Sequence, residues 1–240
     1  MITGGASRSG IGYATAEVFA AQGARVALLD LAESDPEGAA RALGPGHLGL
    51  ACDVRDPAAC RDAVAETAGR FGGVDILIGN AGVVHGTPVL EISQAEYDEV
   101  LDVNLRGNFN MAQATIPHLR ERGGGSIVLI GSINSKIALP NFAAYVSSKG
   151  GVLMLGKGLA LDFAEHDIRV NVIGPGVINT PMSANSIADP VRGAFLMSKT
   201  PLGRPGQPEE IAELAAFLTS EGASFMTGAY VPADGGWLAG

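Results

Sequence analysis

Short apolar runs alternate with longer segments of helical period along nearly the whole chain. Residues 24–30, 48–54, 74–82, 127–131, 168–173 and 228–232 read as buried strands, each bounded by glycine, proline or polar residues. Between them, residues 11–22, 58–71, 94–122, the segment following Tyr145 and residues 208–220 carry helical patterns. Leu153, Leu155, Leu159, Ala160, Leu161 and Phe163 supply the apolar face after Tyr145, and Pro208 with two acids marks the start of the last helix. Strands alternating with helices predict a parallel, doubly wound α/β sheet with helices on both faces. No shift in composition marks a second unit, so residues 1–240 are expected to form a single domain. Residues 182–205 have mixed polarity and several Met, Ser and Ala residues, and read as a mobile substrate lid rather than a packed element.

The first informative turn is Thr3-Gly4-Gly5-Ala6-Ser7-Arg8-Ser9-Gly10-Ile11-Gly12, leading into a helix and then a strand that ends in Asp30. Glycines let a backbone approach a pyrophosphate, and a helix N-terminus offers free N–H groups to its charge. Asp30 lies 18 residues after Gly12. An acid at that offset accepts hydrogen bonds from an adenosine ribose and repels a 2′-phosphate, which favours NAD over NADP. Arg8 argues the other way, because a basic residue in the loop could reach a 2′-phosphate. Asp53, at the end of the next strand, is either an acceptor for an adenine amino group, with Val54 against the ring, or the N-cap of the helix after Pro57. The Asn80-Ala81-Gly82 turn is small enough for a flat ring or ribose to lie against it.

The chemistry centres on residues 132–149. Tyr145 and Lys149 are four apart, one helical turn from each other on one face. A phenol titrates near pH ~10, and an adjacent ammonium is expected to lower that value, as a tyrosine general acid/base requires. Ser132 follows the apolar run Ile127-Val128-Leu129-Ile130-Gly131, at the strand's carboxyl end where open α/β sheets bind ligands. Asn104 sits inside a helical pattern that disfavours it, and its amide could organise water near Lys149. The polar pair Asn134 and Ser135 leans toward a polyol, sugar or hydroxyketone, the alternative being plain loop solvation.

The net charge of −9 and the lack of a basic run argue against nucleic acid as a partner. Cys52 and Cys60 show no metal-type spacing and the four histidines are scattered, so no metal site is expected and a cytoplasmic location fits. No apolar run is long enough to span a bilayer. The start, Met1-Ile2-Thr3-Gly4, leaves no room for a signal peptide.

Taken together, the TG…GIG turn (Thr3, Gly4, Gly10, Ile11, Gly12), Asp53-Val54, the Asn80-Ala81-Gly82 turn, Asn104, Ser132, the Tyr145/Lys149 pair, Pro175-Gly176 and the tail from Pro201 to Gly236 give a chain that resembles the short-chain dehydrogenase/reductase family over essentially its whole length. The resemblance implies a Rossmann-type sheet of about seven strands and hydride transfer between NAD(H) and a small alcohol or ketone. It implies Tyr145 as general acid/base, Ser132 as hydrogen-bond donor to the substrate oxygen, Lys149 on the nicotinamide ribose and Asn104 holding a relay water. Gly4, Gly10 and Gly12 would line the pyrophosphate site, together with Arg8, Ser9 and Ile11. Asp30, Asp53, Val54, Asn80, Ala81 and Gly82 would border the adenosine half and its ribose. Pro175, Gly176, Val177 and Thr180 would meet the nicotinamide carboxamide. It also implies a homotetramer built on the long helices and the C-terminal helix and strand.

Two departures stand out. Five residues, Gly5 to Ser9, separate TG from GIG where the family usually has three. Only two residues precede Thr3, whereas a strand ordinarily has about five, so either the first strand is stunted or the true start lies upstream. Competing readings are a 3-oxoacyl-type ketoreductase using NADPH, a dinucleotide-binding sensor or scaffold without catalysis, and a sugar-nucleotide epimerase or dehydratase. An acyl-carrier-protein substrate would want a basic docking face, and Arg106, Arg169 and Arg204 form no evident cluster in the sequence. A sensor has no need of all four of Asn104, Ser132, Tyr145 and Lys149. An epimerase needs a second lobe for which little chain remains.

Overall fold

Every other residue of the central strands enters a different core layer, which is how one sheet buries both faces. In the computed structural model, which describes all 240 residues, Ile127 and Leu129 enter one layer, while Val128 and Ile130 enter the other. The strands are β1 (Ile2–Thr3), β2 (Ala27–Asp30), β3 (Leu48–Ala51), β4 (Ile76–Gly79), β5 (Gly125–Ile130), β6 (Ile168–Pro175) and β7 (Tyr230–Ala233). They form one parallel seven-stranded sheet in the order β3-β2-β1-β4-β5-β6-β7. Strand order reverses between β1 and β4, and that crevice, at the carboxyl ends of the strands, is where such sheets accept ligands.

Helices α1 (Ile11–Ala21), α2 (Pro36–Leu43) and α9 (Pro208–Thr219) cover one face, with Tyr13, Phe19, Ile211 and Leu218 in the core. Helices α3 (Pro57–Phe71), α5 (Gly107–Glu121) and α6 (Ala143–Phe163) cover the other, contributing Val64, Met111, Leu119 and Val152. Cys52 and Cys60 are buried, unbridged members of that second layer. No helix is long and apolar enough to cross a membrane.

The pattern of elements matches the expectation, with several differences. The first strand is two residues long, yet it pairs with β2 and β4 at the centre of the sheet. The segment between Asp30 and Leu48, unassigned from the sequence, holds α2, whose N-cap Asp35 accepts from the Gly38 N–H ahead of Pro36. Asp53 does not cap α3; Asp56 does, accepting from the Ala58 N–H. The single long helix expected over residues 94–122 is α4 (Gln94–Leu101), a π-helical turn (Asp102–Arg106) and α5 in series. Residues 182–205 are not irregular chain. Proline-initiated helices α7 (Pro181–Ala188) and α8 (Pro190–Ser198) occupy most of that stretch, with Leu196 packed against Ile133 and Trp237.

Candidate active site

A cavity of about 920 Å³ opens along the carboxyl edge of the sheet, from the end of β2 to the helices α7 and α8. Its floor is set by long-range hydrogen bonds between neighbouring strands. The Thr3 hydroxyl accepts from the N–H groups of Asn80 (2.9 Å) and Ala81 (3.0 Å), and Asn80 Nδ2 donates to the carbonyls of Thr3 (3.0 Å) and Gly4 (2.9 Å). Asn80 thus fastens the glycine turn to β4. Gly4 has φ +61°, and a Cβ there would lie 2.9 Å from Ala81 Cα. A Cβ on Gly12 would lie 2.5 Å from the Gly4 carbonyl oxygen, so Gly12 lets α1 press against the turn and does not itself line the cavity.

Gly4, Gly10 and Ile11 line the cavity, as do Ala6 and Ser7, which the sequence did not single out. Arg8 and Ser9 are exposed and lie outside the lining. The lengthened loop turns both side chains to solvent. Helix α1 begins at Gly10 without a side-chain cap and without an acid in its first turn. Its first N–H groups are therefore free to meet an anion. With the glycine cradle beside them, the residues present fit a pyrophosphate.

At the β2 end of the cavity, Asp30 closes the strand and accepts from the N–H groups of Ala6 and Leu31, both at 2.9 Å. Asp53, Val54 and Cys52 line the same end. The Asp53 carboxylate is held by the Arg55 guanidinium, with Nη2–Oδ2 at 2.6 Å, and that bond keeps its carboxyl below the usual range. Arg55 itself lines the cavity and was missed; its only sequence signal is its place two residues after Asp53. Pro175, Gly176, Val177 and Thr180 line the cavity beyond β6, where Thr180 caps α7.

The chemical groups meet where β5 ends. Ser132 starts a 3-10 turn (Ile133–Ser135), and its carbonyl accepts from the Tyr230 hydroxyl at 2.8 Å. Ser135 donates to the Lys149 carbonyl (2.8 Å), tying that turn to α6. Asn134 is buried, with its N–H on Ser132 Oγ at 3.1 Å. Asn134 and Ser135 are thus hydrogen-bonded within the fold and not a solvated loop, and Asn134 lines the cavity. The Ser132 hydroxyl meets the Tyr145 phenol, and the Lys149 ammonium lies 5.7 Å from the Tyr145 ring centre.

One electrostatic expectation changes. Lys149 was expected to lower the Tyr145 pKa. Instead burial pushes the phenol up, and the Ser132 hydrogen bond offsets only part of that. Lys149 donates to the Ile130 carbonyl (2.8 Å), and burial brings its own pKa down to about 8. Asn104 is buried in the π-turn but does not line the cavity. Its Oδ1 accepts from the Val83 N–H (2.8 Å), while Nδ2 donates to the Val83 carbonyl and Ser148 Oγ, both at 3.0 Å. Its amide protons are therefore spent on the protein, and the side chain ties the loop after Gly82 to α6 instead of offering a donor to water.

The family model described as "Enoyl-(Acyl carrier protein) reductase" matches residues 4–238. An uncharacterized short-chain type dehydrogenase/reductase of Sinorhizobium fredii is 39% identical over 99% of this chain and 96% of its own. The D-threitol dehydrogenase of Mycolicibacterium smegmatis is 40% identical over 99% of this chain and 91% of its own. The crystal structure of levodione reductase superposes with a TM-score of 0.93 at 35% identity, covering 99% of this chain and 96% of that one. The chain belongs to the short-chain dehydrogenase/reductase family, a family of oxidoreductases whose Rossmann fold implies a nicotinamide dinucleotide cofactor.

Proposed function

We propose that this protein is an NAD-dependent dehydrogenase or ketone reductase acting on a small alcohol or ketone, with Tyr145 as general acid/base. The observation that carries the proposal is the meeting of Ser132, Tyr145 and Lys149 on the cavity whose far end holds Asp30. When bound, the nicotinamide ring supplies or accepts the hydride at C4. Ser132 Oγ donates to the substrate oxygen and fixes it beside the phenol. Tyr145 takes the alcohol proton at its phenolic oxygen, or returns it to a carbonyl. Lys149 is one helical turn away and, while charged, stabilises the phenolate through the field of its ammonium. Asn104 acts by holding the loop after Gly82 against α6. The helices α7 and α8 form the lid that excludes water from the reacting atoms.

Asp30 supports NAD over NADP, since its carboxylate stands at the β2 end where a 2′-phosphate would lie. Arg8, the residue that could have offset it, faces solvent. The 3-oxoacyl alternative finds little support in the arginines. Arg106 pairs with Asp102 (3.2 Å), Arg204 pairs with Glu210 (2.7 Å), and Arg169 donates to the carbonyls of Leu218, Ser220 and Met226. We place the protein in the cytoplasm, as a homotetramer.

The test is a titration of the purified protein with NADH and NADPH, following reduced-nicotinamide fluorescence, beside turnover of Tyr145→Phe. Tight NADH, weak NADPH and a kcat loss of about 10²–10⁴ with NADH affinity retained are expected. Full activity in Tyr145→Phe would sink the mechanism, and binding of neither dinucleotide would sink the whole assignment.

A further inference from the structure

Six charged side chains line the cavity: Asp30, Asp53, Arg55, Glu99, Lys149 and Arg192. Five are answered by the protein itself. Asp30 takes backbone N–H groups, Asp53 and Arg55 hold each other, Glu99 pairs with His85 at 2.8 Å, and Lys149 donates to a carbonyl. The Arg192 guanidinium has no acid and no hydrogen-bond acceptor. The nearest acid in sequence, Asp189, spends its Oδ1 on the N–H groups of Val191 and Arg192 as the N-cap of α8. In a chain of net charge −9, a cation left unanswered at the cavity is conspicuous.

Its placement is specific. The guanidinium lies over the Phe142 ring, 5.2 Å from the centroid, and Phe142 packs edge-on against Tyr145, with centroids 6.4 Å apart and planes at 72°. The cation is thus two ring contacts from the phenol, on the lid side of the cavity. The apolar side chains of Leu139, Met182, Leu196 and Trp237 line the same cavity. Arginine stays charged at any working pH and offers a donor fork that matches a carboxylate.

We propose that Arg192 is an anion-recognition residue, and that the substrate is a hydroxy acid or oxo acid: a secondary alcohol or ketone carrying a carboxylate at the far end of an apolar body. The carboxylate accepts from the Arg192 fork, the body lies against Phe142 and Leu196, and the oxygen to be oxidised or formed reaches Ser132 and Tyr145. Because Arg192 belongs to α8, an acidic substrate also draws the lid onto itself. The identity of the reacting end rests on the hydride-transfer reading; the anion subsite does not.

The experiment therefore uses non-reacting ligands. Trp237 is the single tryptophan and lines the same cavity, so its emission reports occupancy. Cyclohexanecarboxylate and cyclohexanecarboxamide, alike in shape and different in charge, are titrated into the full-length protein with and without NADH, and into Arg192→Gln and Arg192→Lys. Arg192 is exposed, so both variants are expected to melt with the wild type. The acid should bind at least about tenfold tighter than the amide to the wild type, corresponding to about 1.4 kcal/mol. That ratio should fall to about one in Arg192→Gln and be partly kept in Arg192→Lys. Equal binding of acid and amide by the wild type, a ratio unchanged in Arg192→Gln, or no measurable binding of the acid at millimolar concentration would each overturn the proposal. Failure to bind NADH would instead remove the cofactor assignment, while the acid-to-amide ratio would still read Arg192.

Discussion

Lys149 carries two opposed demands on one side chain. Its ammonium is wanted near the Tyr145 phenol, yet it is buried, and burial holds its pKa at about 8 against an ordinary 10.5. The sign of the consequence follows from proton counting. Between those two values the unfolded chain keeps the proton and the folded chain has shed it, so this group makes stability rise with pH across the window. Below pH 8 both states are charged and the full burial penalty applies. Relative to a Lys149→Met variant, the wild type should gain about 2 kcal/mol of unfolding free energy between about pH 7.5 and about pH 9.5. Urea unfolding of both proteins at the two pH values measures that difference; an unchanged gap would mean that Lys149 titrates like a solvated lysine. At this scale the sequence was informative about identity and poor about partners. A spacing of four put Tyr145 and Lys149 on one face, and an apolar run placed Ser132 at a strand end. The direction of the Tyr145 shift was missed because desolvation depends on the finished fold. Asn80 lines the cavity, and its amide also bonds to residues 76 and 77 positions away, a partnership that local sequence does not record.

At the scale of elements, strands buried on both faces were the most legible, since continuous apolar runs such as residues 127–130 have few other homes. What escaped notice was whatever tertiary contact decides. Helix α2 buries only Pro36, Ala39 and Ala40, too little apolar pattern to stand out, although Asp35-Pro36 was a usable start signal. The π-turn at Asp102–Arg106 interrupts a pattern that otherwise reads as one helix, and its reason lies in Asn104 reaching Val83 and Ser148. Residues 182–205 read as irregular in the sequence because the amphipathicity of their helices is weak: α7 buries no residue, and α8 buries only Gly193 and Leu196. Thin burial has a dynamic consequence, because local opening free energy follows the contacts that must break. Backbone amides of α7 and α8 should exchange with deuterium at least about tenfold faster than those of the core-facing α6, and cyclohexanecarboxylate should slow them. Mass-spectrometric exchange on peptides covering residues 181–198 and 143–163 tests this. Equal protection of both would mean that these helices are part of the rigid frame and not a lid.

For the whole molecule, one face of α6 lacks a partner within the chain. Met154 and Leu161 are 63% and 83% exposed there. Gly150 and Gly158 share that face, and a Cβ added to either would meet nothing within 4 Å. Spaced as 150, 154, 158 and 161, these positions form one helical stripe, flat and apolar enough for another helix to approach closely. Phe109, on the neighbouring α5, is 45% exposed and extends the patch. Leaving such a surface in water forgoes apolar burial worth roughly 25 cal/mol per Å², whereas an isologous contact between copies of α6 satisfies it with one symmetry axis. A second axis, through the exposed Phe217 and Phe225 at the end of α9 and just beyond, would close a tetramer. Multi-angle light scattering at micromolar concentration should accordingly give the mass of four copies of the 24.4 kDa chain. The double substitution Met154→Glu, Leu161→Glu sets four like charges across each α6 contact and should drop that mass to the dimer or below while leaving the monomer fold intact, as judged by far-UV circular dichroism. A wild type that elutes at the monomer mass would remove the tetramer and leave the stripe on α6 without an occupant; a tetramer indifferent to the two glutamates would move the interface to another face.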